Sequence, residues 1–132
     1  MDWVISKIVE KIGTIEQSIK AFLNFFAFSN TSYSFFLEDL EATGPLGNEL
    51  TIKMNQSDVG LEVNKSQLLQ LLEEDGQIFE CELRVKLFEK DQFIVVVRDG
   101  DILDILGNGP KPSEAQIGPY QDLDLSCYAP FY

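Results

Sequence analysis

The sequence predicts an α+β fold: a long N-terminal amphipathic helix packed on a mostly antiparallel sheet of about five or six strands, with one short second helix and an irregular C-terminal tail. Three observations predict it. Apolar residues near the start recur at helical spacing. Several later runs alternate apolar and polar residues. The chain from residue 107 onward is punctuated by glycine and proline. A chain of 132 residues is expected to form one domain, 1–132, divided into a helix over 1–29, a sheet over 33–106 and a tail over 107–132.

The helix is read from Ile5, Ile8, Ile12, Ile15, Ile19, Phe22 and Phe26, whose spacings of 3, 4, 3, 4, 3 and 4 fall on one stripe. Gly13 weakens its middle and Asn30 stops it. Tyr33, Phe35 and Leu37 then alternate as a strand, and Glu38, Asp39 and Glu41 follow it. The run Gly44-Pro45-Leu46-Gly47-Asn48 reads as a break. Leu50, Ile52 and Met54, then Val59, Leu61 and Val63, read as two strands joined by a hairpin loop.

A short helix is expected near 65–75, capped by Asn64 with Gln67 reaching back, and stopped by Gly76. Phe79, Cys81, Leu83, Val85 and Leu87 alternate with Glu80, Glu82, Arg84 and Lys86, the clearest one-faced strand. The run 93–97 is apolar on both faces and reads as a central strand. Asp99-Gly100 marks a tight turn before residues 102–106. In the tail, Tyr120, Leu123, Leu125, Tyr128, Phe131 and Tyr132 are the expected anchors, with Tyr120, Tyr128 and Phe131 also candidates to meet a partner. The core should include Ile8, Ile12, Ile15, Ile19, Phe22, Phe26, Leu83, Val85, Phe93, Val95 and Val97.

Charge is lopsided. Residues 1–37 carry three acids and three bases, whereas residues 38–132 carry 19 acids and seven bases, the whole net charge of −12. Such a chain repels phosphate backbones and anionic bilayers, so neither nucleic acid nor membrane is an expected direct partner. A basic protein is. Three clusters supply the candidate docking carboxylates: Glu38, Asp39 and Glu41; Glu73, Glu74 and Asp75; and Asp99, Asp101 and Asp104. On one side of the molecule they would suit a partner site lined with Lys and Arg, imitating the phosphates of its substrate.

Catalytic signals are weak. There is no histidine, so a histidine-dependent nucleophile or a histidine-ligated zinc is ruled out. No phosphate-cradling glycine loop or dinucleotide fingerprint appears, and the spacing of Asp99, Asp101 and Asp104 is not that of an EF-hand. The two cysteines form no CxxC pair. No catalytic residue, metal or cofactor is expected, and the compartment is expected to be the cytoplasm. The function expected from these facts is a non-catalytic acidic inhibitor, in a bacterium an immunity protein neutralising a nuclease-type toxin, or in close variant a phage-encoded antagonist of a nucleic-acid enzyme. The alternative is an assembly subunit that oligomerises through the N-terminal Ile/Phe stripe. A metal-dependent or carboxylate enzyme is a third reading.

Overall fold

In the computed structural model, residues 1–9, 11 and 14–128 are described. The expected Ile12, Gly13, Phe131 and Tyr132 lie outside them. Strand β1 (Trp3–Ile8) comes first, followed by helix α1 (Thr14–Phe26). The single helix expected over 1–29 is thus corrected, because its opening third is a strand. Two periods coincide in this stretch. Ile5 and Ile8 continue the helical stripe, yet Trp3, Ile5 and Lys7 also alternate with Val4, Ser6 and Ile8. β-Branched and aromatic residues favour the pleated form, and a partner strand settles it. Ile8, expected in the core, is 74% exposed as a result.

From Thr14 the helical period holds. Ile15, Ile19, Phe22 and Leu23 are buried, and Phe26 packs against them partly buried. Phe22 stacks on Phe26 at 5.1 Å and meets Phe93 edge-on at 5.1 Å. Ile5, Ile15, Ile19 and Phe22 of the stripe are therefore spent inside this chain's own core.

The remaining elements are β2 (Tyr33–Ala42), α2 (Pro45–Asn55), β3 (Leu61–Val63), α3 (Lys65–Glu73), β4 (Ile78–Leu87), β5 (Lys90–Arg98), β6 (Ile102–Gly107), α4 (Glu114–Ile117), β7 (Gln121–Leu123) and a 3-10 turn over Leu125–Cys127. The strand expected over 50–54 is corrected to α2. Leu46, Leu50 and Met54 are buried at helical spacing, while Ile52 is exposed. Pro45 stands at the first position of that helix, where its fixed φ and missing N–H cost nothing. The residues read as a break thus begin a helix. The helix expected near 65–75 is present as α3. Asn64 Oδ1 accepts the Gln67 amide at 2.8 Å, and Gln67 Oε1 accepts the Asn64 amide at 2.9 Å.

The described residues form one sheet of seven strands, ordered β3-β2-β4-β5-β6-β1-β7, with every neighbouring pair antiparallel. That exceeds the five or six strands expected, because β1 and the tail strand β7 join it. The tail, expected to be irregular, carries α4, β7 and the 3-10 turn among its described residues. Its α4 lies against α1, Trp3 Nε1 donates to Gly109 O at 2.9 Å, and the Tyr120 hydroxyl donates to Pro112 O at 2.5 Å. The main core lies between α1, α2 and α3 and the inner face of the sheet, where Leu37, Leu83, Val85, Val95 and Ile105 are fully buried. Trp3 closes it at the Gly107 end, where a Cβ would meet the indole and the Phe93 ring within 3.0 Å. No helix among the described residues is long and apolar enough to cross a membrane.

Candidate protein-docking face

Strand alternation sends every second residue of β2 and β4 away from the helices. On β4 these are Glu80, Glu82, Arg84 and Lys86. On β2 a register shift between Leu37 and Asp39 inserts Glu38 as an extra residue. The bulge keeps Leu37 and Leu40 both inside and turns Asp39 and Glu41 outward. The acids expected just past this strand are therefore part of it.

The pairing that results is unusual for a sheet. Asp39 stands opposite Glu82, and Glu41 opposite Glu80. Both are like-charge pairs on one face, an arrangement that is destabilising in isolation. Five carboxylates on β2 and β4 thus share a surface with two cations, Arg84 and Lys86. Arg84 sits among them, with Nη1 2.5 Å from Asp91 Oδ2, Nε 3.6 Å from Glu38 Oε1 and Nη2 3.7 Å from Glu82 Oε2. Burial alone would lower the Arg84 pKa, but Asp91, then Glu82 and Glu38, hold the guanidinium charged and raise it overall. Lys86 lies over the Phe36 ring at 5.1 Å. The same acids act through the sheet. The Cys81 thiol, facing inward between them, is pushed up to about 12, first by burial and then by Asp39 and Glu82.

The structure does not bring all nine expected carboxylates together. Glu38, Asp39 and Glu41 share the outer face. Asp99 adjoins it, since its amide donates to Glu80 Oε1 at 3.2 Å, and Asp101 is exposed in the same turn. Asp104 is on the outer side of β6 but fully buried, bonded to Arg98 Nη2 at 2.7 Å and to the Tyr128 hydroxyl. The third cluster belongs to the helix layer. Glu73 pairs with Lys20 at 2.8 Å. The Glu74 carboxylate accepts the amides of Leu46 and Gly47 at 3.0 and 2.9 Å. Asp75 is exposed, and among the described residues it alone of that cluster makes no bond of this kind. Glu80 and Glu82 are the residues that sequence reasoning missed. They were visible as one face of β4, but set against Arg84 and Lys86 they summed to nothing; the register with β2 is what adds Asp39 and Glu41 to them.

Among the described residues no group of three or more His, Cys, Asp or Glu side chains is placed to hold a metal ion. A cavity of about 540 Å³ opens elsewhere, beside Phe28, Tyr33 and Phe35 at the β2–β3 edge, with Lys65 and Glu62 on its rim. The chain matches no protein-family model, no curated protein and no solved structure.

Proposed function

We propose that this protein is a non-catalytic inhibitor that binds a basic protein through the outer face of β2 and β4. The observation that carries the reading is the pair of like-charge contacts, Asp39 with Glu82 and Glu41 with Glu80. Acids needed only for solubility can be spaced apart; acids stacked across a ladder lose stability that a cationic partner would restore. The fitting partner class is an enzyme whose site is lined with Lys and Arg to hold phosphates. An immunity protein facing a nuclease-type toxin in a bacterial cytoplasm is the setting we favour, and a phage-encoded antagonist would use the same surface. Long-range attraction speeds encounter, and salt slows it.

The inhibitor reading is favoured over the assembly reading because Ile15, Ile19 and Phe22 pack into this chain's own core. The test is affinity capture from the native cell, followed by a nuclease assay on the captured protein. A basic enzyme that is silenced by the wild type, and not by an Asp39→Lys/Glu41→Lys double variant, supports the proposal. Equal inhibition by the double variant removes this face from consideration. Glu73→Lys, in the helix layer, serves as the control of equal charge type.

A further inference from the structure

The outer face of the sheet is divided. Towards β2 it is acidic and open, and towards β1 it is apolar and covered. Val4, Ile94 and Leu106 form a second buried cluster there, beneath Leu123, Leu125 and Tyr128 of the C-terminal segment. One cross-strand row joins the halves: Val4, Leu106, Ile94, Arg84, Phe36. The next row runs Ser6, Asp104, Val96, Glu82, Asp39.

Asp104 is the member of the second row that the segment hides, and it is 0% exposed. Its Oδ2 accepts from Arg98 and from the Tyr128 hydroxyl. Its Oδ1 has no hydrogen-bond partner. Buried carboxylate oxygens are ordinarily satisfied, so this acceptor is a defect that a further donor would repair. The covering segment is lightly held. β7 has three residues, paired to β1 at Val4, Ile5 and Ser6. Asp122 is tied to Lys111 at the exposed surface, and Leu123, Leu125 and Tyr128 stay partly exposed. A three-residue ladder whose covering side chains are part-exposed opens more readily than the fully buried core.

We infer that residues 121–128 are a strap over the apolar half of the docking face, and that an arginine of the cationic partner, followed by an apolar residue, displaces Tyr128 and docks on Asp104. A guanidinium presents parallel donors to both carboxylate oxygens, including the one Tyr128 leaves bare; a hydroxyl offers one donor, and an ammonium lacks the planar fork. Arg98 keeps its bond to Oδ2, and Glu82 and Asp39 in the same row supply the added negative charge. The partner's apolar residue takes the place of Leu125 over Val4, Ile94 and Leu106, which gives the acidic face a desolvated anchor. This inference rests on the acidic-inhibitor reading and adds to it the side chain the partner presents and the movement that admits it.

The test uses the full chain and two synthetic peptides of equal length and charge, one alternating Arg and Leu, the other Lys and Leu, titrated by calorimetry at fixed ionic strength. The arginine peptide is expected to bind the wild type about tenfold more tightly than the lysine peptide. Tyr128→Ala should widen that ratio about fivefold further, and Tyr128→Phe, which removes the hydroxyl and keeps the ring, should widen it in the same direction. Asp104→Asn should abolish the preference. An arginine-to-lysine ratio unchanged in both Tyr128 variants overturns the strap, and the acidic reading survives if both peptides still bind in a salt-sensitive way. No binding of either peptide to any form overturns the acidic reading and the strap together.

Discussion

Asp39 and Glu82 face each other across the β2–β4 ladder, two carboxylates on the side of the sheet opposite α1, α2 and α3. Glu41 and Glu80 repeat the arrangement. Cross-strand charge pairs are worth about 0.2–1 kcal/mol, with the sign set by the charges. Asp39→Lys should therefore stabilise the isolated protein by about 0.5 kcal/mol, seen as a higher urea midpoint. The same change should slow association with a basic partner. A variant that is more stable and still associates at the wild-type rate would assign these acids to solubility alone.

Glu74 illustrates how a carboxylate that looks available is committed. Helix α2 begins at Pro45 behind Gly44, which offers no side-chain cap, and the Glu74 carboxylate reaches its first amides from the end of α3. Glu74→Ala should cost about 1 kcal/mol, the usual loss of a capping acceptor, measured by chemical denaturation. Glu73→Ala, which breaks an exposed pair with Lys20, should change stability by less than about 0.5 kcal/mol. Equal losses would mean that the amides of Leu46 and Gly47 find other acceptors.

What could be read in the chain, and what could not, divides by distance. The alternation of Cys81, Leu83 and Val85 with charged neighbours, and the Asn64–Gln67 box, are local signals, and β4 and α3 follow from them. β1 does not, because Ile5 and Ile8 satisfy two periods at once. The choice between them is made by β6, about a hundred residues away, through the register from Trp3 with Gly107 to Ile8 with Ile102. α2 was obscured in the same way. Leu50, Ile52 and Met54 alternate like a strand, and Leu46 four residues before Leu50 reveals the helix only if Pro45 is taken as a start. For the docking face, Glu38, Asp39 and Glu41 were legible as a cluster. Their union with Glu80 and Glu82, the capping use of Glu74 and the burial of Asp104 are all set by tertiary pairing.

The acidic face predicts a difference between the two thiols. Both cysteines are unpaired, Cys81 buried and Cys127 exposed. With Cys81 pushed up to about 12 by burial and the nearby carboxylates, it stays a thiol at any ordinary pH. A colourimetric disulfide reagent at pH 8 should give one fast equivalent, from Cys127, and a second when urea unfolds the chain. Two fast equivalents in the folded protein would place Cys81 within reach of solvent.

The N-terminal stripe predicts a folding defect and not a change of assembly. Ile19 is 2% exposed within the core formed by α1 and the sheet. A carboxylate there has no partner and cannot be buried without a cost of several kcal/mol. Ile19→Asp should abolish the cooperative melt. A variant that keeps the wild-type circular dichroism and melts cooperatively, while its sedimentation coefficient falls, would restore the oligomeric reading.

Lys7 predicts the pH behaviour. On the inner side of β1, its ammonium donates to Ser18 Oγ at 2.9 Å and to Ile117 O at 2.5 Å, and among the described residues it forms no salt bridge. Burial lowers its pKa from the ordinary 10.5. Below the lowered value both the folded and the unfolded chain hold this proton, and the full penalty of the buried charge is present. Between the lowered value and 10.5 the unfolded chain holds more of it, so a rise in pH favours folding and relieves the penalty. The stability of the wild type relative to Lys7→Met should accordingly increase as pH rises through the alkaline range towards 10.5. Taking the difference cancels the tyrosines and the other lysines, which titrate in both proteins. A difference that stays flat across that range would mean the amine keeps its ordinary affinity for the proton, and that water reaches it between β1 and α4.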